Sequence, residues 1–392
     1  MTGSIPVPGL ISAAGYVTSL GGGALPEPVR AAIAEAAAGT WRPDDLQEWA
    51  GALIAEATGA EAGWVTAGGA AGLTLGAAAC LAHHELSAID ALPDTSALPA
   101  EIIVQRGHRN AYDRAFRTAG ARIVEVGYPL IEGVGRTYEW QIESAFSDRT
   151  VAVGHLALAD ADGVPLARVC ELAAAHHVPV IVDAAAELPP SSNLRRFIDE
   201  GASLVAFSGG KAIRGPQGSG ILAGRRDLIA SVRLQTLDMD VDADAWSARE
   251  GSEPPHHGLG RSMKVGKEEI AGVAAALREF TRRDHEAEAM EYALWLESLL
   301  PSVSAWPAAV RTDLHFYPRL VVEAGRGHAR RLAEALAAGA PAIVVPHAPL
   351  ARGELVICPE AIVADQRGIV ERAVAGLERH ASVAVAVGDD AR

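Results

Sequence analysis

A chain of 392 residues can bury a large core and is long enough for two domains, or for one domain with a smaller lobe. Hydrophobic residues make up 49% and charged residues 21%, an ordinary globular composition. The net charge of −15, with no Lys/Arg run, argues against nucleic acid as a partner, and no run reaches the ~18 apolar residues that a membrane span needs.

The first 28 residues are rich in Gly and Pro and read as an N-terminal arm, with Leu20-Gly21-Gly22-Gly23 free to approach a ligand closely. A helix is predicted over Pro26–Ala38, and a second opens at Asp44-Asp45-Leu46 and stops at Gly59. Trp64-Val65-Thr66 is a short strand. It runs into Gly68-Gly69-Ala70 and then an Ala-rich helix to about Leu81. A strand, a glycine turn and a helix start offer backbone N–H groups to an anion, so Gly68, Gly69 and Ala70 are candidate phosphate contacts. The segment 84–99 reads as a surface excursion. Glu101–Gln105 is the next strand and delivers Arg106, His108, Arg109 and Asn110 to its end.

Strand and helix then alternate: strands at Arg122–Val126 and Thr150–Gly154, helices at Trp140–Ser147 and Pro165–His177, and between them a loop from His155 to Val164 that carries Asp160 and Asp162. Val-Pro-Val-Ile-Val-Asp183 and Ser-Leu-Val-Ala-Phe207-Ser208-Gly209-Gly210-Lys211 follow, then a strand over Gly218–Ala223. Apolar runs of this length suit strands buried on both faces, and the alternation predicts a doubly wound, mostly parallel α/β sheet. Beyond Arg225 come a helix to Leu237, an acidic run at Asp238–Asp244, a loop at Pro254–Gly260, the basic segment Arg261–Lys267 and a long helix from Glu268 to Leu300. Three strand-like runs near Arg319–Glu323, Ala342–Pro346 and Glu354–Cys358 form a small α+β lobe. The expected division is an arm over 1–28, a large domain over 29–245 and a C-terminal domain over 246–392.

Side chains just past the carboxyl ends of parallel strands converge on one crevice. A carboxylate, Asp183, and an amine, Lys211, placed there suggest a pyridoxal 5'-phosphate (PLP) site. Lys211 would hold the aldehyde and move the α-proton, Asp183 would keep the pyridine nitrogen protonated, and His108 would stack on the ring. Gly68, Gly69, Ala70, Ser208 and Gly210 would complete the cofactor pocket. Arg106, Arg109, Arg214, Arg261 and Lys264 would bind an anionic substrate. No metal ligand set is expected. Cys80, Cys170 and Cys358, odd in number and outside any CxxC pair, read as buried free thiols in a reducing compartment, and a cytoplasmic location is expected.

Pro179-Val-Ile-Val-Asp183-Ala-Ala-Ala-Glu-Leu-Pro-Pro190, Phe207-Ser-Gly-Gly-Lys211-Ala-Ile-Arg-Gly-Pro-Gln217, Gln105-Arg-Gly-His-Arg-Asn110 and Gly260-Arg-Ser-Met-Lys-Val-Gly-Lys-Glu-Glu269 resemble the PLP enzymes related to L-seryl-tRNA(Sec) selenium transferase, in the branch with D-glucosaminate-6-phosphate ammonia-lyase. The resemblance covers most of residues 10–270. It implies PLP fold type I, a seven-stranded, mostly parallel sheet flanked by helices, Lys211 as the Schiff-base lysine, and a homodimer or higher oligomer with sites at the interface. The acidic charge and the lack of a tRNA-binding domain point away from transfer on tRNA. The expected activity is an α,β-eliminating ammonia-lyase on a polar or anionic β-hydroxy amino acid or amino sugar acid. The alternatives are an aldolase, a racemase, an aminotransferase or a desulfurase, and a PLP-binding regulator among non-enzymes.

Overall fold

The computed structural model describes residues 9–129, 135–157, 163–237, 258–312 and 316–383. The expected loop residues Asp160 and Asp162, the acidic run Asp238–Asp244 and Pro254–His257 lie outside them.

Two compact units are present, Leu25–Arg282 and the segments Met1–Ala24 and Arg283–Arg392. In the larger unit the strands are β2 (Ala62–Thr66), β3 (Glu101–Gln105), β4 (Arg122–Val126), β7 (Thr150–Leu156), β8 (Val180–Asp183), β9 (Leu204–Ser208) and β10 (Gly220–Gly224), with β1 (Leu10–Ser12) preceding them in the smaller unit and a two-stranded β5–β6 hairpin (Tyr128–Pro129, Gly135–Arg136) between β4 and β7. The seven form one sheet in the order β2-β10-β9-β8-β7-β3-β4, parallel throughout except that β10 runs against both its neighbours. The sheet is therefore fold type I in its expected form: seven-stranded and mostly parallel.

Alternation along the strands feeds two cores, one on each face. Val180, Val182, Val205 and Phe207 enter the core formed with α1 (Glu27–Ala38), α2 (Pro43–Thr58) and the helix Lys267–Arg282, while Ile181, Leu204 and Ala206 enter the core of α3 (Gly69–Ala82). α3 is buried on nearly every side, as its Ala- and Gly-rich sequence permits. Gly72 and Gly76 face the sheet, where an added Cβ would stand 3.4 Å from the Ala206 methyl and 3.2 Å from Leu204 Cδ1. This stripe of hydrogens in place of side chains brings α3 down onto β9 and sets its N-terminus at the strand ends.

β2 is an edge strand, and a side chain completes its hydrogen bonding. Buried Gln47 on α2 accepts from the Val65 N–H (2.9 Å) and donates to the Val65 carbonyl (3.0 Å), as a neighbouring strand would. Gln47→Ala leaves both backbone groups buried without a partner. A loss of about 2–4 kcal/mol is expected in urea unfolding, and Gln47→Glu should also destabilise because a carboxylate cannot donate to the carbonyl.

Several boundaries differ from the sequence expectation. The segment 84–99 contains a short helix, Leu86–Ala91, and β7 extends through His155 and Leu156, which the sequence placed in a loop. The long helix predicted over 268–300 is two helices, Lys267–Arg282 and His285–Leu299, because Asp284 caps the second by accepting from the Ala287 N–H (3.0 Å). Lys267–Arg282 packs on α1 and α2 and so belongs to the larger unit, which places its boundary at Arg282 rather than at residue 245. In the smaller unit, β11 (Ala308–Arg311), β12 (Arg319–Glu323) and β14 (Glu354–Ile357) form an antiparallel sheet, and β1 pairs in parallel with β13 (Ala342–Val344). The expected arm thus contains a strand. Its Ile11 and Ala13 are buried with Leu296, Val322 and Ile343. No helix among the described residues is long and apolar enough to cross a membrane.

Candidate active site

Strand register sets one row at the edge of the sheet. Thr66 lies opposite Gly220, Gly220 opposite Ser208, Ala206 opposite Asp183, and Asp183 opposite Leu156. The carboxyl ends of β2, β9, β8, β7 and β3 therefore open together, and the reversed β10 contributes its beginning. The glycine turn, Ser208, Asp183 and the segment carrying His108 all leave from this edge.

Gly68 has φ +95°, a conformation that L side chains resist, and it starts α3. The first helical hydrogen bond runs from the Gly72 N–H to the Gly68 carbonyl (3.1 Å), so the helix uses none of the N–H groups of Gly69, Ala70 and Ala71. They form the positive end of a 14-residue helix. Gly220 passes so close beneath that a Cβ on it would stand 2.5 Å from the Gly68 carbonyl carbon and 2.8 Å from the Gly69 nitrogen. The turn rests on β10 only because residue 220 has no side chain.

The lysine sits in a closed loop between β9 and β10. Gly209 N–H donates to the Ser219 carbonyl (2.9 Å), Gly215 N–H to the Gly209 carbonyl (2.8 Å), and Arg214 N–H to the Lys211 carbonyl (2.8 Å). Gly210 crosses Gln217, where a Cβ would meet Gln217 Cα at 2.6 Å. Arg214 holds φ +63°, a left-handed conformation in a non-glycine residue at the turn next to the lysine. Burial pushes the Lys211 amine below the ordinary lysine range, and the nearby charges of Asp183 and Glu187 pull it part of the way back. Burial likewise pushes the Asp183 carboxyl up, opposed by the N–H of Ala185, which donates to Oδ1 (3.1 Å), and by Lys211. The amine and the carboxylate thus share one desolvated, mutually charged site, the environment that tunes catalytic groups.

His108 is 2% exposed, and its Nδ1 accepts from the Leu156 N–H (3.1 Å). As an acceptor Nδ1 carries no proton, so the neutral ring has its proton on Nε2. The edge of the sheet brings His108 and Asp183 to one small cavity, with Leu73, Asn110 and His155 on its walls. The arginines expected beside His108 have partners. Arg106 pairs with Glu125 (2.5 Å), and Arg109 pairs with both Asp113 and Glu125 (2.5 Å each). Arg261 lies on the turn Leu259–Met263, which packs on α3, and Lys264 follows it.

Sequence reasoning passed over three contributors. Glu187 stood in the quoted Asp183 run and was given no role. Gly220 was read only as strand. His155 was assigned to a loop because its strand was taken to end at Gly154. The two-residue extension of an apolar run into a histidine leaves no periodic signal. All three cysteines are buried free thiols, and burial pushes each up to about 12. Thiols held this way are weak nucleophiles at neutral pH.

Fold and site together define a fold type I α/β enzyme. No family model matches the chain. Among curated proteins it is 34% identical to a 5'-C-glycyluridine monooxygenase-decarboxylase from a Streptomyces species, over 94% of this chain and 89% of that one. It is 31% identical to the D-glucosaminate-6-phosphate ammonia lyase of Salmonella typhimurium, over 76% of this chain and 73% of the relative. An L-seryl-tRNA(Sec) selenium transferase from Solidesulfovibrio magneticus matches at 28% over 53% of this chain and 42% of its own. Among solved structures, D-glucosaminate-6-phosphate ammonia-lyase superposes with a TM-score of 0.80 at 27% identity, covering 97% of this chain and all of that one. A serine palmitoyltransferase variant from S. paucimobilis with a bound PLP–myriocin aldimine shares the fold (TM-score 0.56, 15% identity, 95% and 88% covered). The chain belongs to the family of PLP enzymes related to L-seryl-tRNA(Sec) selenium transferase, in the branch that holds D-glucosaminate-6-phosphate ammonia lyase.

Proposed function

We propose that this chain binds PLP at Lys211 and acts as a lyase that releases ammonia from a polar or anionic β-hydroxy amino acid or amino sugar acid. One observation carries this: Asp183 ends β8 beside β9, whose continuation carries Lys211 out at the same carboxyl edge, where burial acts on both groups. The residues fit the cofactor at each of its polar ends. The Gly68–Ala70 turn, which Gly220 leaves room for, suits the phosphate, and a buried carboxylate suits a protonated ring nitrogen. When bound, the cofactor serves as the sink for electrons released at the substrate's α-carbon.

The chain's own residues do the rest. Lys211 Nζ, with its pKa lowered, is a free amine at a lower pH than an ordinary lysine and is able to take the α-proton. Asp183 holds the proton on the ring nitrogen, and His108, pinned at Nδ1, presents a fixed flat face. Ser208, at the end of β9, and Gly210, in the lysine loop, would complete the cofactor pocket. Arg214, Arg261 and Lys264 hold the substrate's anionic groups. Arg106 and Arg109 support the end of β3 through Glu125 and Asp113. The working unit is a homodimer or higher oligomer. The three free buried thiols fit a reducing, cytoplasmic setting.

A second candidate is oxidative decarboxylation of a glycyl group, as the name of the Streptomyces relative describes. A screen of β-hydroxy amino acids, phosphorylated amino acids, 2-amino sugar acids and glycyl nucleosides, run with and without oxygen, separates the two. Ammonia and a keto acid formed without oxygen are expected. Carbon dioxide release that requires oxygen would replace the lyase with the decarboxylase, and exchange of the α-proton alone would indicate a racemase.

A further inference from the structure

We propose that His155 is a positioning residue that sets the ring plane of His108; this rests on the reading of the edge as a PLP site. β7 lies between β3, which delivers His108, and β8, which delivers Asp183. Consecutive residues of β7 grip His108 in two ways. Leu156 N–H pins Nδ1, and the His155 ring meets the His108 ring edge to face, with centroids 4.4 Å apart and planes at 84°. Both imidazoles are 2% exposed, so neither is held by bulk water. Gly163 closes a further side, because a Cβ there would stand 3.1 Å from His108 Nε2. Gly163 is itself held in place. Gln105 donates to the Val164 carbonyl (2.9 Å) and accepts from the Val164 N–H (2.7 Å). A hydrogen bond fixes one ring atom but leaves rotation about that contact. The perpendicular His155 ring removes that freedom, because an aromatic edge against a face has a preferred angle. A stacking group serves a cofactor only at a fixed tilt, and His155 supplies the fixing.

The test uses the full chain loaded with PLP and reads the visible absorption and circular dichroism of the bound cofactor. His155→Leu fills the volume without an aromatic edge, and His155→Phe keeps the edge. His155→Leu is expected to retain the absorption band while its dichroism falls by about two-fold or more, and His155→Phe to stay near wild type. A His155→Leu dichroism equal to wild type, or an equal loss in both variants, overturns the inference. Should His155→Leu fail to fold by far-ultraviolet dichroism, His155→Met, a flexible apolar chain without an aromatic edge, takes its place. The same loss of visible dichroism is then expected, and an unchanged signal overturns the inference. A wild-type chain without a Lys211-dependent band overturns the cofactor assignment and this inference with it. A normal wild-type band with silent variants overturns this inference alone.

Discussion

Lys211→Ala is expected to lose the visible band of bound PLP and all detectable turnover, because no other described lysine lies in the loop between β9 and β10. Borohydride treatment of the wild-type chain followed by peptide mass analysis should place a pyridoxyl group on Lys211. Label on any other lysine would move the site elsewhere. The lysine also leaves a signature in the cofactor-free protein. Burial holds its folded pKa below the unfolded value, so between the two the unfolded chain binds more protons. Stability should therefore rise with pH through that window, which begins at the lowered folded pKa and ends at the ordinary lysine value. Lys211→Met should flatten the slope in urea titrations of the apo chain. A slope of opposite sign would mean that the amine is not desolvated.

Asp183→Asn is expected to cut turnover by roughly 10²–10³-fold, the scale for losing one preorganised electrostatic contact, while the lysine adduct still forms. The amide keeps the shape and can still accept from the Ala185 N–H. What disappears is the negative charge, which opposes burial at Lys211 more than Glu187 does. The pH profile for borohydride trapping should therefore move to lower pH in Asp183→Asn, since the amine deprotonates more easily without its counter-charge. A profile that moves upward, or turnover near wild type, would remove Asp183 from the ring-nitrogen role.

The edge positions of the candidate residues were legible in the chain itself. Short Val/Ile runs ending in Asp183 and Lys211 carried both strand type and edge position, because a strand buried on two faces admits charge only at its end. Gly68-Gly69 announced a turn because its backbone angle suits only glycine. The arginines were not legible in the same way. Arg106 and Arg109 resemble anion ligands in sequence, but both pair with Glu125 on β4, which only the β3–β4 pairing brings alongside; Asp113, four residues after Arg109, adds a local partner. The same limit applies to the helix break at Asp284. One capping hydrogen bond decides it inside a stretch whose periodicity continues on both sides.

By itself the sequence determined the α/β class and the order of glycine turn, histidine, aspartate and lysine along the strand ends, because these depend on local burial and strand ends. Tertiary structure alone decided that Gly220 must lack a side chain, that Gln47 completes the edge strand, and that His155 stands against His108. Each of these is a contact between residues far apart in the chain, set by strand order and register, which no local pattern encodes.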